Sequence, residues 1–159
     1  MGAVRATVIT VSDRVSRGEA EDRSGPAAAL ALGTLGFEVD VVVVPDGLDE
    51  VENALRVAAA DANLVVTTGG TGLAPRDLTP EATRRVIERE APGLAEAMRS
   101  ATFGSNAFGM LSRGVSGVVG ETLIINLPGS VSGATESLDV VGPALVHAVE
   151  LLLDRPTEH

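Results

Sequence analysis

The chain has 159 residues, 45% of them hydrophobic and none of them cysteine, which suits one well-packed domain and excludes disulfides, thiolate nucleophiles, iron–sulfur clusters and cysteine-ligated zinc. A net charge of −10, with three Phe and no Trp or Tyr, argues against nucleic acid as a partner, because a polyanion calls for a basic footprint and aromatic stacking platforms. The first ten residues lack the apolar core of a secretory signal and no apolar run is long enough to span a bilayer, so the expectation is a soluble cytoplasmic protein with no membrane partner.

Arg5 to Val11 is β-branched and apolar and predicts a first strand, ending at Ser12-Asp13-Arg14. Val15 to Ser24 is charged without periodicity and predicts a loop. Ser24-Gly25-Pro26 then opens a helix to about Leu35, closed by Gly36. Phe37 to Val44 predicts a second strand, whose four consecutive valines imply burial on both faces, and Pro45-Asp46-Gly47 ends it. Leu48 as staple, Asp49 as N-cap and Glu52 as capping-box partner predict a helix to about Ala60. A third strand from Leu64 to Thr67 completes a β-α-β-α-β order, which implies a parallel sheet covered on both faces.

Farther on, Pro80 to Glu90 predicts a helix, Pro92-Gly93 a break and Leu94 to Arg99 a shorter helix. Thr102 to Asn106 reads as a loop and Phe108 to Ser112 as a helical turn. Val115 to Val119 and Thr122 to Asn126 predict a hairpin through Gly120-Glu121, which makes the sheet mixed. The last helix is expected from about Ser132 to Leu153, interrupted at Gly142-Pro143. No repeat or linker divides the chain, so residues 1–159 read as a single α/β domain.

The most informative stretch is Thr67-Thr68-Gly69-Gly70-Thr71-Gly72, where a buried strand runs into a glycine loop. Three glycines in four residues allow positive φ and close backbone approach, and Thr79 as N-cap with Pro80 behind it starts the next helix. Loop amides and a helix N-terminus favour phosphate. Thr68 and Thr71 add hydroxyls, Arg76 a fixed positive charge and Asp77 a carboxylate suited to Mg²⁺. The alternative is a glycine-rich connection without a ligand. A Walker loop is excluded because the chain has no lysine, and the G-x-G-x-x-G spacing is absent.

Asp46 and Asp77 are both expected at the carboxyl ends of neighbouring strands, where two carboxylates can hold Mg²⁺ beside a triphosphate; Pro45-Asp46-Gly47 is also an ordinary turn sequence. Ser12 and Asp13 end the first strand in the same manner, with a plain cap as the other reading. Asn126-Leu127-Pro128-Gly129-Ser130 is a tight turn whose following amides can meet an anion or simply join strand to helix. His147 falls in the last helix and His159 in the tail, which leaves no Ser-His-Asp triad or histidine metal site. Positioning and charge neutralisation, as in phosphoryl or nucleotidyl transfer, fit this inventory better than proton transfer.

Thr68-Gly69-Gly70-Thr71-Gly72, Pro75-Arg76-Asp77, Leu78-Thr79-Pro80-Glu81-Ala82-Thr83 and Asn126-Leu127-Pro128-Gly129-Ser130 together resemble the molybdenum-cofactor biosynthesis proteins of the MogA/MoaB type. Ser12-Asp13-Arg14, Asp22-Arg23-Ser24-Gly25-Pro26, Met98-Arg99 and Leu111-Ser112-Arg113 extend the likeness over nearly the whole chain. The resemblance implies a three-layer α/β/α sandwich with a mostly parallel mixed sheet, assembled as a homotrimer. It implies a molybdopterin adenylyltransferase, which moves AMP from Mg-ATP to the molybdopterin phosphate and releases pyrophosphate. By the same match Asp77 and Asp46 would be the catalytic, Mg²⁺-linked carboxylates. Gly69, Gly70, Thr71 and Gly72 would lie against phosphate or pterin with Thr68, Arg76 and Thr79, while Ser12, Asp13, Pro128, Gly129 and Ser130 would line the same pocket. Hand-over of the product to a molybdate-inserting enzyme is the expected partnership. Other readings are a non-catalytic molybdopterin-binding paralogue, the later molybdate-using domain, and a nucleotide-binding domain like that of competence-damage proteins.

Overall fold

The computed structural model describes residues 2–157, so His159 lies outside them. Among these residues the strands β1 (Arg5–Val11), β2 (Glu38–Val44), β3 (Leu64–Thr68), β4 (Arg89–Glu90), β5 (Ser116–Val119) and β6 (Thr122–Leu127) form one sheet in the order β2-β1-β3-β6-β5-β4. The first four in that order run parallel, while β5 runs antiparallel to β6 and β4 antiparallel to β5. Six α-helices accompany them, α1 (Asp13–Ser16), α2 (Ser24–Thr34), α3 (Leu48–Ala59), α4 (Thr79–Val86), α5 (Pro92–Ser100) and α6 (Val131–Leu152), together with one 3-10 turn at Ala107–Leu111.

The pleat sorts the apolar residues of the central strands between two cores. Val8, Val66, Ile125 and Leu127 face Leu32 of α2, Met98 of α5 and Leu138 and Leu145 of α6. Ile9, Val65 and Ile124 face Val51 and Leu55 of α3 and Ala82 and Val86 of α4. The three-layer sandwich follows from this alternation, since β1, β3 and β6 need cover on both faces. Each fully buried Leu, Ile or Val contributes about 1.5–3 kcal/mol relative to exposure.

Strand order reverses beside β1: α2 carries the chain to β2 across one face, and α3 carries it back to β3 across the other. Val11 aligns with Val44, Thr10 with Thr68, and Thr68 with Leu127. Loops that start at Ser12, Pro45, Gly69 and Pro128 therefore leave one edge of the sheet, at the switch point where α/β domains hold ligands.

Several local expectations differ. The valines of β2 are not buried on both faces: Val41, Val42 and Val43 are 38%, 42% and 40% exposed, because β2 is the sheet's edge strand. A valine run reports the strand but not what covers it. Helix α6 passes through Gly142-Pro143 without a break, since Val141, Leu145 and Val149 anchor it in the core beyond the missing N–H. Helix α4 stops at Val86, where Ile87 turns extended, and Arg89–Glu90 pairs with β5 instead. Gly117 permits that pairing, because a Cβ there would lie 2.7 Å from the Arg89 carbonyl oxygen. Asp49 and Thr79 lie inside the first turns of α3 and α4, with Gly47 and Leu78 at the cap positions. Ser12 does cap a helix: its Oγ accepts from the Val15 amide at 3.2 Å, and the expected loop begins as the one-turn α1.

Candidate functional site

The glycine loop leaves β3 through two residues that only glycine can occupy. Gly69 has φ +92° and a Cβ there would sit 2.4 Å from the Val11 carbonyl oxygen; Gly70 has φ +68° and its Cβ would meet the Thr79 hydroxyl. Gly129, in the turn after β6, packs against the α-carbon of Gly69, so the turns following β3 and β6 touch backbone to backbone.

Almost every carbonyl of this loop is claimed from within the chain. Thr79 donates its hydroxyl to the Gly69 oxygen and its amide to that of Gly70, at 3.0 and 3.1 Å. Arg113 donates its amide to the Thr71 oxygen and Nε to that of Gly72, both at 2.8 Å. Among the described residues, the amides of Gly70, Thr71 and Gly72 find no hydrogen-bond acceptor, and neither do those of Gly129 and Ser130 at the start of α6. Carbonyls turned back and amides left forward make an anion cradle, and the N-terminus of a 22-residue helix adds to it. Ser130 keeps that end ordered: its Oγ accepts from the Gly133 amide at 3.0 Å.

The two expected carboxylates stand beside the cradle. A Cβ on Gly70 would lie 3.3 Å from Asp46 Oδ1, and one on Gly72 would lie 2.9 Å from Asp77 Oδ2. Asp77 Oδ2 accepts from the Ala74 amide at 3.1 Å, which holds the loop's outer turn. Burial, together with the negative charges of Asp13 and Asp77, pushes the Asp46 carboxyl above its usual range. Asp13 moves the other way, held low chiefly by its hydrogen bonds from Arg76, whose Nε and Nη2 lie 2.6 and 3.0 Å from its carboxylate. Arg76 also donates to the Asp46 carbonyl, so its charge is engaged at this acidic ledge.

These donors fit a magnesium ion. No three acidic or histidine residues cluster as a ready metal cage among the described residues, but Mg²⁺ is ordinarily held by one or two carboxylates, waters and substrate phosphates. Asp46 and Asp77, standing beside Gly70 and Gly72 of one loop, could supply such carboxylates.

On the far side of the loop lies a cavity of about 490 Å³. Thr71 and Gly72 form one wall, Pro128, Gly129 and Ser130 another, and Met98 and Arg99 of α5 with Gly133, Ser137 and Val140 of α6 close it. Its size suits a flat heterocycle, and Arg99, Asn106, Asn126, Ser130 and Glu136 offer polar groups to orient it. Ser12, Asp13, Asp46, Asp77 and Arg76 stand outside the cavity at the ledge. Gly72 belongs to both, lining the cavity on one side and leaving no room for a Cβ beside Asp77 Oδ2 on the other. Thr68 faces neither: its hydroxyl is buried on that of Ser24, 2.9 Å away.

Three residues here stood within motifs that the sequence marks, but with no role of their own assigned to them. Asn126 is buried and bridges three elements, donating Nδ2 to Thr67 and Thr83 at 3.0 Å and accepting from the Val115 amide at 3.1 Å. Arg99 enters the cavity wall with Nη1 on the Gly114 carbonyl at 2.7 Å. Arg113 reaches the glycine loop from the far side of the sequence. Met98-Arg99 and Ser112-Arg113 stood out as family landmarks, but no spacing rule gives them a place.

A doubly wound sheet edge with an amide-lined glycine loop and carboxylates beside it is a geometry that suits a phosphorylated ligand in an α/β domain. Residues 7–147 match the family described as a probable molybdopterin binding domain, and the chain belongs to that family. It is 39% identical over 160 residues to a molybdopterin adenylyltransferase of Helicobacter pylori strain J99, covering 96% of this chain and 90% of that protein. The molybdenum cofactor synthesis protein cinnamon of Drosophila melanogaster is 37% identical over 97% of this chain, which spans only 26% of that longer protein. The crystal structure of the molybdopterin biosynthesis enzyme MoaB from Thermus thermophilus superposes with a TM-score of 0.90 at 47% identity, covering 98% of this chain and 99% of that one.

Proposed function

We propose that the protein is a molybdopterin adenylyltransferase, acting in molybdenum cofactor biosynthesis with ATP as the AMP donor. One observation carries the reading: the loop whose amides are free at Gly70, Thr71 and Gly72 runs beside both carboxylates, so that a Cβ on Gly70 would fall 3.3 Å from Asp46 Oδ1 and one on Gly72 would fall 2.9 Å from Asp77 Oδ2. Full-length likeness to the Helicobacter pylori enzyme supports the same activity.

A terminal phosphate oxygen of molybdopterin attacks the α-phosphorus of ATP, the α–β phosphoanhydride bond breaks, and pyrophosphate leaves. The nucleophile is already an anion, so no histidine or lysine is required to activate it. The task is to bring two polyanions together in line. Amides of the glycine loop and of the Gly129-Ser130 turn bind and orient phosphate oxygens. The cavity holds one of the two heterocycles away from water. Asp46 and Asp77 would hold Mg²⁺, which supplies charge neutralisation on the phosphates and polarises the phosphoryl group under attack.

The protein acts in the cytoplasm as a homotrimer and passes its product to a molybdate-inserting enzyme. Exposed Phe103, Phe108 and Met110 beside the cavity support self-association. No helix among the described residues is long and apolar enough to cross a membrane. The reading is tested by incubating purified protein with molybdopterin, ATP and Mg²⁺ and identifying products by mass spectrometry. Adenylylated molybdopterin is the expected product, and tight binding of molybdopterin without it would make the chain a non-catalytic carrier.

A further inference from the structure

Arg113 precedes β5, far along the chain from everything its side chain and amide touch in the glycine loop and α4. Its amide donates to the Thr71 oxygen at 2.8 Å. Its guanidinium then divides three ways: Nε to the Gly72 oxygen at 2.8 Å, Nη2 to the Asp77 oxygen at 2.6 Å, and Nη1 to both Glu81 oxygens at 2.7 and 3.0 Å. The segment it spans, Leu73 to Arg76, is exposed, and within itself is closed by the Asp77–Ala74 turn.

We infer that Arg113 is the positioning residue of this site, fixing the spacing between the free amides of Gly70 to Gly72 and the Asp77 carboxylate. Both ends of the exposed segment hang from one planar group, and Glu81 anchors that group to the first turn of α4. Because the guanidinium is neutralised by Glu81 and turned to backbone carbonyls, its contribution is shape and not charge. An ammonium cannot reproduce this, since a point charge on a flexible stem does not span two carbonyls and a carboxylate in a fixed fork. Holding the Thr71 carbonyl through the Arg113 amide also turns the Gly72 amide, which shares that peptide plane, away from Arg113, which is a condition for an anion cradle.

The kinetic part of the test rests on the adenylyl transfer proposed above; the exchange part does not. Arg113→Lys and Arg113→Ala are compared with wild type by steady-state turnover, and by hydrogen exchange over residues 70–78 in the ligand-free protein. Both variants are expected to lower kcat by about 100-fold with KM for ATP held within a few fold, since a shift of ~1 Å in a catalytic group has that size of effect. Lysine is expected not to rescue, and faster exchange is expected in 70–78 while β1, β3 and β6 stay protected. Lysine retaining near wild-type turnover, or lost turnover with unchanged exchange in 70–78, would overturn the assignment. If the Arg113 variants fail to fold, Glu81→Gln carries the test: it loosens the guanidinium without removing the carbonyl contacts, and unaltered exchange over 70–78 would count against the clamp. A wild-type protein that transfers no AMP sinks the proposed reaction, whereas the exchange result still decides the role of Arg113.

Discussion

Asp13 and Asp46 grip each other across the ends of β1 and β2: the Asp13 amide donates to Asp46 Oδ2 at 2.9 Å, and the Asp46 amide donates to Asp13 Oδ1 at 3.2 Å. The reciprocal pair fixes where the Asp46 carboxylate stands, while Arg76 balances the second negative charge. Asp13→Ala removes one half of the grip and the partner of Arg76. The expected result is a fall in kcat of about 10-fold or more, from a misplaced Asp46. The melting temperature should fall by no more than a few degrees, because Arg76 is exposed and the contacts between Asp13 and Asp46 are only part-buried. Kinetics alongside a thermal melt checks both parts.

Asp46→Asn keeps the shape of the side chain and removes the charge. Turnover is expected to fall by about 100-fold or more, the size associated with losing one preorganised electrostatic contact in a transition state. Raising Mg²⁺ should recover little of it. Activity restored to wild type by excess Mg²⁺ would show that Asp46 sets affinity for the metal and nothing more.

Gly69→Ala is predicted to be structural before it is catalytic. The new methyl meets a backbone oxygen, which cannot swing away, at a φ that L-residues avoid. A loss of at least about 1–3 kcal/mol is expected in urea unfolding. Gly33→Ala on α2 is the control: nothing lies within 4 Å of a Cβ there, and helix propensity predicts a gain of up to ~1 kcal/mol.

Asn126→Ala leaves the buried Val115 amide without an acceptor and takes a hydrogen bond from each of two buried threonine hydroxyls. The expected loss is about 3 kcal/mol. Since Asn126 also lines the cavity, ligand affinity should fall with stability. A variant as stable as wild type would mean that water replaces the amide.

The order of strands and helices was legible because valine-rich runs, glycine turns and proline starts are local signals. So was the placement of Asp13 and Asp46 at one edge, since in a parallel sheet the carboxyl ends of the strands share a side; the expectation that Asp46 and Asp77 end neighbouring strands fails, because β1 lies between β2 and β3 and Asp77 stands late in the loop before α4. What was not legible depended on partners far apart in the chain. Nothing near Val41 says that β2 lacks a neighbour, and nothing near Thr68 says that Ser24 will claim its hydroxyl. β4 is two residues whose pairing exists only because Gly117 lets a backbone come close. Arg113 and Asn126 have no periodicity to read, because their importance lies in three-way contacts across segments tens of residues apart.

In the proposed reaction, carboxylates beside an amide-lined loop align ATP and a molybdopterin phosphate for transfer of AMP. Its most direct test is pyrophosphate release, with wild-type protein and Asp77→Asn compared in the presence of molybdopterin and Mg-ATP. Release is expected only when molybdopterin and Mg²⁺ are both present, equimolar with adenylylated molybdopterin, and abolished in Asp77→Asn with the fold intact. Near wild-type release by Asp77→Asn, or release that ignores molybdopterin, would contradict that reaction.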